Sequence, residues 1–297
     1  MLNLDQLSLE ERFACAFLAT YLYVLEDDQN LLTKISKEVS FHADEANTDD
    51  GLKRCLKEYF LKNTNLTCQD NFTFTLDIDK FLHIFDFNQL STISIKNVYL
   101  PSELNQVHIE YIKNSKSGMV YTDPDLLLEF FISGKTVFVS LELKSTKNNK
   151  IPGSSVQQIN PYEWVVFVKK DSKNQVSITT GIYANSVTGR VPFPDRSPRP
   201  EVSFSTLDYW NAKNRSYDSN ELKLSFCSQE FETKVNDFIN WQQRLVDDWM
   251  ICVKSEDKHK PWFKHTLRMF VTDLLEYYES LDDDGKKKFI ELNKKLI

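Results

Sequence analysis

Thr122 to Thr146 reads TDPDLLLEFFISGKTVFVSLELKST. Two strand-like runs, DLLLEFFI and KTVFVSLELKS, flank Ser133-Gly134, and a two-residue loop is the commonest hairpin connection. Pairing Ile132 with Lys135 sets the register, because side chains alternate between faces with period two. Asp125 then faces Glu142, and Lys144 falls opposite Asp123 on the same side. Leu126, Leu128 and Phe130 meet Leu141, Val139 and Val137 on an apolar face, while Asp125, Glu129, Ser140, Glu142 and Lys144 take a polar one. A slip of one residue would send the acids into the core, where an unpaired charge costs several kcal/mol. Directly opposed residues hold their Cβ atoms roughly 4.5–5.5 Å apart, so one divalent cation could bridge Asp125 and Glu142.

Pro124-Asp125, followed after sixteen positions by Glu142-Leu143-Lys144, resembles the PD-(D/E)xK nuclease motif, and the chain is similar in this stretch to type II restriction endonucleases of that superfamily. The resemblance covers the hairpin and nothing else in the chain, and the consensus is loose. It implies an α/β (α+β) fold: a restriction-endonuclease-like core with a central mixed β-sheet flanked by helices, and helical N- and C-terminal parts. It further implies that Asp125 and Glu142, with the backbone carbonyl of Leu143, hold Mg²⁺ beside Lys144. Double-stranded DNA is then the substrate, a homodimer the default assembly and a cognate DNA methyltransferase the companion activity. Two other readings stay open: a structure-selective repair nuclease of the same fold, and a DNA-binding protein that keeps the hairpin without catalysis.

The composition bounds these readings without choosing among them. The 297 residues carry 41% hydrophobic and 13% aromatic side chains, which is enough for a substantial core. No apolar run reaches ~18 residues, and MLNLDQLSLEERF lacks a basic stretch followed by an apolar one, so a cytoplasmic protein is expected. The five cysteines show no CxxC spacing and the five histidines no HxH or HExxH pattern, which points away from zinc. A net charge of −7 argues against nucleic acid until its distribution is read: Lys144 to Arg215 holds eleven Lys and Arg against five Asp and Glu. A basic face on an acidic body suits local phosphate contact.

Outward from the hairpin, the chain reads as a single domain over 1–297. Its parts are a mainly helical N-terminal part (1–100), a catalytic sheet core with a DNA-contact loop (101–215) and a helical C-terminal part (216–297). Ser8-x-x-Glu11 is a capping box that opens a helix running to about Asp28, and a second helix spans about Asp50 to Leu61. FTFTLDI alternates as a strand. SELNQVHIEYI reads as a helix capped by Ser102, with Glu103 and Glu110 on one face as candidate third acids for the metal. A short helix from Ser154 or Ser155 would bring Gln157 or Gln158 near the site, and EWVVFVKK and VSITTGIYAN read as further strands. The proline-rich TGRVPFPDRSPRPEVSF carries Arg190, Arg196 and Arg199 on a stiff connection. With Lys147 and Arg215, these are the candidate DNA contacts, since arginine's forked donors match phosphate and guanine. The Asp282-Asp284 and Lys286-Lys288 tracts lack the alternating ligand spacing of a Ca²⁺ loop and read as a helix stop and restart.

Overall fold

The computed structural model describes residues 8–41, 50–66, 73–78, 81–115, 124–155, 160–188, 199–218, 221–225, 229–254 and 262–295. They form two compact units, Met1–Ile239 and Asn240–Ile297.

In chain order the first unit runs α1 (Leu9–Leu25), α2 (Gln29–Glu38), α3 (Asp50–Lys62), β1 (Thr73–Ile78), β2 (Phe81–Asp86), α4 (Phe87–Ser91), β3 (Ile95–Tyr99), a 3₁₀ turn (Pro101–Glu103) and α5 (Gln106–Ser115). The hairpin β4 (Leu126–Ile132) and β5 (Lys135–Thr146) follows, then β6 (Lys150–Pro152), β7 (Trp164–Lys170), β8 (Val176–Ile182), the single turn α6 (Tyr183–Ser186), β9 (Glu201–Ser203), α7 (Phe204–Asn214), β10 (Arg215–Asp218), β11 (Glu221–Ser225) and α8 (Gln229–Ile239).

Local chemistry accounts for several element boundaries. The Ser8 hydroxyl accepts from the Glu11 N–H at 3.2 Å and the Glu11 carboxylate accepts from the Ser8 N–H at 2.8 Å, closing the reciprocal box that starts α1. Asp28 stops α1 and caps α2, accepting from the N–H groups of Asn30 and Leu31. At the hairpin, Ser133 and Gly134 both have positive φ, 51° and 85°, as a two-residue turn matching the strand twist requires. Ile132 pairs with Lys135 and Leu126 with Leu141, the register read from the sequence.

The central sheet has the order β3-β4-β5-β7-β8. It is mixed: β5 and β7 run parallel and every other neighbouring pair is antiparallel. Helix α1 covers one face, where Leu126, Leu128, Phe130, Leu141, Val166 and Val168 are buried and Phe17 meets Phe130 edge to face at 5.6 Å. On the other face α7 covers β7 and β8, with Phe204 against Phe167 at 5.8 Å and the Asn211 amide donating to Thr179 Oγ1 and the Thr180 carbonyl. Strands β7 and β8 are thus covered on both faces, beside the β5 that carries Glu142 and Lys144. The face expected to be simply polar is an interior one: Leu127 is fully buried and Glu142 and Lys144 nearly so.

Three sequence expectations change. The mainly helical stretch 1–100 also contributes β1, β2 and β3, and β1 and β2 join β10 and β11 in a second sheet of order β10-β11-β1-β2. Its β1–β11 pairing is parallel, a long-range choice that local periodicity does not announce. The helix expected from Ser102 is interrupted: Pro101 to Glu103 turns tightly, and α5 starts only at Gln106. Asn105 provides its cap, with its side-chain oxygen accepting from the His108 N–H at 3.2 Å. Glu103 and Glu110 therefore do not share one helix. Finally, the stiff connection read over Thr188 to Phe204 ends in a short strand, β9, and is followed by helix α7.

The second unit contains α9 (Trp241–Lys254), α10 (Trp262–Ser280) and α11 (Asp283–Lys295). Asp282 restarts the helix after Ser280, its carboxylate accepting from the Gly285 N–H at 2.7 Å, and Lys288 pairs with Asp284 one turn on. None of the described residues of α9 or α11 is buried. No helix among the described residues is long and apolar enough to cross a membrane.

Candidate functional site

Asp125 follows Pro124 and sits one residue before β4. Its Oδ2 accepts the backbone N–H of Leu143 at 2.8 Å, which locks the start of β4 to the end of β5. Glu142 and Lys144 follow on the same face of β5. The Lys144 ammonium donates to Glu142 Oε1 at 2.5 Å and to Ser154 Oγ at 2.9 Å, and the Ser154 hydroxyl donates to the same Glu142 oxygen at 2.6 Å. The three residues of the motif converge at one end of the sheet, with Lys144 only 3% exposed. Asp123, the other acid expected opposite Lys144, lies outside the described residues.

Two supports come from parts of the chain that the motif does not contain. Lys53 of α3 reaches Asp125 Oδ1 at 2.7 Å, with both side chains largely shielded from solvent. Tyr183, fully buried in the turn after β8, accepts the Ser154 N–H on its hydroxyl at 2.9 Å. Ser154 bridges Glu142 and Lys144; the short helix expected from it or from Ser155 falls on residues outside the described ones. The preceding Gly153 is packed so closely that an added Cβ would lie 2.4 Å from Tyr183 Oη and 2.6 Å from the Pro200 carbonyl.

The electrostatics follow from burial and like charge. Burial raises the carboxyl pKa of Asp125, the Glu142 carboxylate raises it further, and Lys144 and Lys53 oppose the shift. Burial alone would lower the Lys144 pKa, but Glu142, Tyr183 and Asp125 outweigh it and hold it above the usual lysine range. Burial likewise raises the Tyr183 phenol, against Lys144. The carboxylates beside it therefore favour the charged form of Lys144.

The donor set fits Mg²⁺ in kind: two carboxylates and the Leu143 carbonyl are hard oxygen ligands. Among the described residues no group of three His, Cys, Asp or Glu is placed to hold a metal. Glu103 takes the Lys57 ammonium at 2.5 Å and the Leu100 N–H at 2.7 Å. Glu110 is exposed and accepts from Gln106 at 3.0 Å.

The candidate DNA contacts divide. Lys147 and Arg199 are exposed, and Gln157, Gln158, Arg190 and Arg196 lie outside the described residues. Arg215 is corrected by its surroundings. Its guanidinium donates to both oxygens of Glu26 at 2.8 Å and to the Thr180 carbonyl, and its side chain is only 10% exposed. It ties β10 to α1 and β8 inside the body instead of facing solvent. No protein-family model matches the chain, and no curated protein matches its sequence.

Proposed function

We propose that the chain is a Mg²⁺-dependent type II restriction endonuclease that makes site-specific double-strand cuts, leaving 5′-phosphate and 3′-hydroxyl ends. The observation that carries this reading is the meeting of Asp125, Glu142 and Lys144 at one end of a hairpin in a mixed, helix-flanked sheet. Asp125, Glu142 and the Leu143 carbonyl are the residues that would hold Mg²⁺. When bound, that ion would supply Lewis-acid polarisation of a phosphate and acidify a coordinated water. The residues contribute the rest. Lys144 offsets charge on a phosphate in the transition state and helps orient or deprotonate the oxygen nucleophile. Ser154, backed by Tyr183, holds Glu142 and Lys144 in register, so little reorganisation is needed when substrate arrives.

Recognition in this reading falls to exposed cations flanking the sheet, Lys147 and Arg199 among them, together with Arg190, Arg196, Gln157 and Gln158. A two-fold homodimer would read a palindromic duplex. The exposed Val246, Met250, Met269, Phe270 and Leu275 of the second unit are the apolar surface offered for such an assembly. A cognate methyltransferase would protect the host's own sites. The deciding experiment is incubation of the protein with phage DNA and Mg²⁺. Discrete, reproducible fragments support the proposal. Cutting confined to junctions or ends favours a structure-selective nuclease, and metal-independent binding without cleavage under Mg²⁺, Mn²⁺ and Ca²⁺ favours a non-catalytic DNA-binding protein.

A further inference from the structure

We propose that Lys53 is a tethered counter-ion of the site: its ammonium holds Asp125 in charge balance until a divalent cation displaces it, so that helix α3 sets the metal affinity. This rests on the metal-dependent reading above. The observation behind it is the contact of Lys53 Nζ with Asp125 Oδ1 at 2.7 Å, side chains 18% and 13% exposed.

The charge count gives the direction. Among the described residues Asp125 and Glu142 carry two negative charges, and Lys144 and Lys53 carry two positive ones, so these four groups balance. A dication entering a neutral cluster gains less than one entering a cluster of net −1, and shielding from water makes that difference large. The two lysines are not equivalent. Lys144 is held by both Glu142 and Ser154 at 3% exposure, whereas Lys53 reaches in from another element on a flexible four-carbon stem that can swing away.

Two anchors argue that removing the Lys53 charge leaves the site standing. Asp125 keeps the Leu143 N–H on its other oxygen, and α3 keeps its place through buried Leu52, Cys55, Leu56 and Phe60 and through the Lys57 to Glu103 ion pair. The opposing account is a purely structural pair that fastens α3 to the hairpin, and it predicts no coupling to metal.

The test titrates Ca²⁺ into the full chain by calorimetry without DNA, comparing the parent with Lys53→Met, Lys53→Gln, Lys53→Arg and Asp125→Asn. The glutamine variant retains a donor to Asp125 should the methionine variant fold poorly. Lys53→Met and Lys53→Gln should bind Ca²⁺ roughly tenfold tighter than the parent, Lys53→Arg should match the parent, and Asp125→Asn should lose binding. A larger Ca²⁺-induced rise in melting temperature for Lys53→Met than for the parent should accompany the tighter binding. Equal or weaker binding by the two neutral variants would overturn the proposal while leaving the metal site intact. Absence of Ca²⁺ and Mn²⁺ binding in parent and variants alike would overturn the metal-dependent reading and the role of Lys53 with it.

Discussion

Two buried charge clusters brace the central sheet, and they are built differently. In one, Glu26 at the end of α1 accepts from Arg215 Nη1 on both carboxylate oxygens and from the N–H and hydroxyl of Thr180 on Oε1, at 2.6 and 2.7 Å. One acid meets one base, and an arginine never surrenders its charge. In the other, two acids are forced together at the end of the hairpin and need Lys53, Lys144 and Ser154 to hold them. Burial raises the carboxyl pKa in both places, but only at the hairpin does a second carboxylate add to the effect. Like charges held side by side oppose folding; in the proposed reading the second cluster is kept for its chemistry, while the first serves architecture.

The largest expected effect tests that contrast on activity. Asp125→Ala, Glu142→Ala and Lys144→Ala should each lower Mg²⁺-dependent cleavage by at least about 10²–10³-fold, while Arg215→Lys, which keeps the charge at the architectural cluster, should cleave as the parent does. Substantial cleavage by Glu142→Ala would remove the hairpin end as the active site.

On stability the order reverses. Arg215→Ala leaves the Glu26 carboxylate buried without its cation and should cost about 3–5 kcal/mol, measured by urea unfolding. Glu142→Gln takes a carboxylate from the Lys144 ammonium but leaves it Ser154 and Asp125, and it relieves the repulsion on Asp125, so it should cost less than Arg215→Ala. A loss from Glu142→Gln as large as that from Arg215→Ala would erase the distinction between the clusters.

Gly153→Ala sharpens the part played by the second layer of the site. The added methyl must displace Tyr183 or the Pro200 backbone, which should cost about 1–3 kcal/mol and lower kcat by loosening Ser154. Parental stability and kcat in this variant would mean that Ser154 does not depend on that packing.

The smallest effect concerns the surface. Arg199→Ala should weaken binding to all duplexes together and reduce the salt slope by about one unit if the residue touches phosphate. Relaxed discrimination at a single base pair, at roughly 1–3 kcal/mol, would instead assign it a base contact. An unchanged salt slope and cleavage pattern in the Arg190, Arg196 and Arg199 triple alanine variant would leave the proline-rich segment as a connector.

Much of the hairpin was legible from residue order because its determinants are local. Alternation of apolar and polar side chains sets which face is buried, the two-residue turn sets the pairing, and together they place Asp125 beside Glu142 and Lys144. The same locality made the Ser8 capping box, the helix from Asp50 and the strands after Glu163 readable. Helix α2 and strands β2, β10 and β11 escaped the reading, because short segments carry too little periodicity to separate them from loops. The break before Gln106 escaped too, since Pro101 and Asn105 competed with Ser102 for the helix start.

What tertiary structure alone decided is partnership at a distance. The i, i+4 spacing puts Lys53 and Lys57 on one side of α3, yet nothing in their neighbourhood names Asp125 and Glu103 as the acids they meet. Nothing in the order of residues around Ser154 names Glu142, Lys144 or Tyr183 as the groups it meets. Arg215 belongs to a basic stretch, and only the packing of α1 against β8 supplies the carboxylate that takes it out of solvent. Turn chemistry and side-chain alternation act over a few residues and are written in their order. The partner of a buried charge is chosen by whichever opposite charge the packed core brings within reach, and that depends on the whole chain at once.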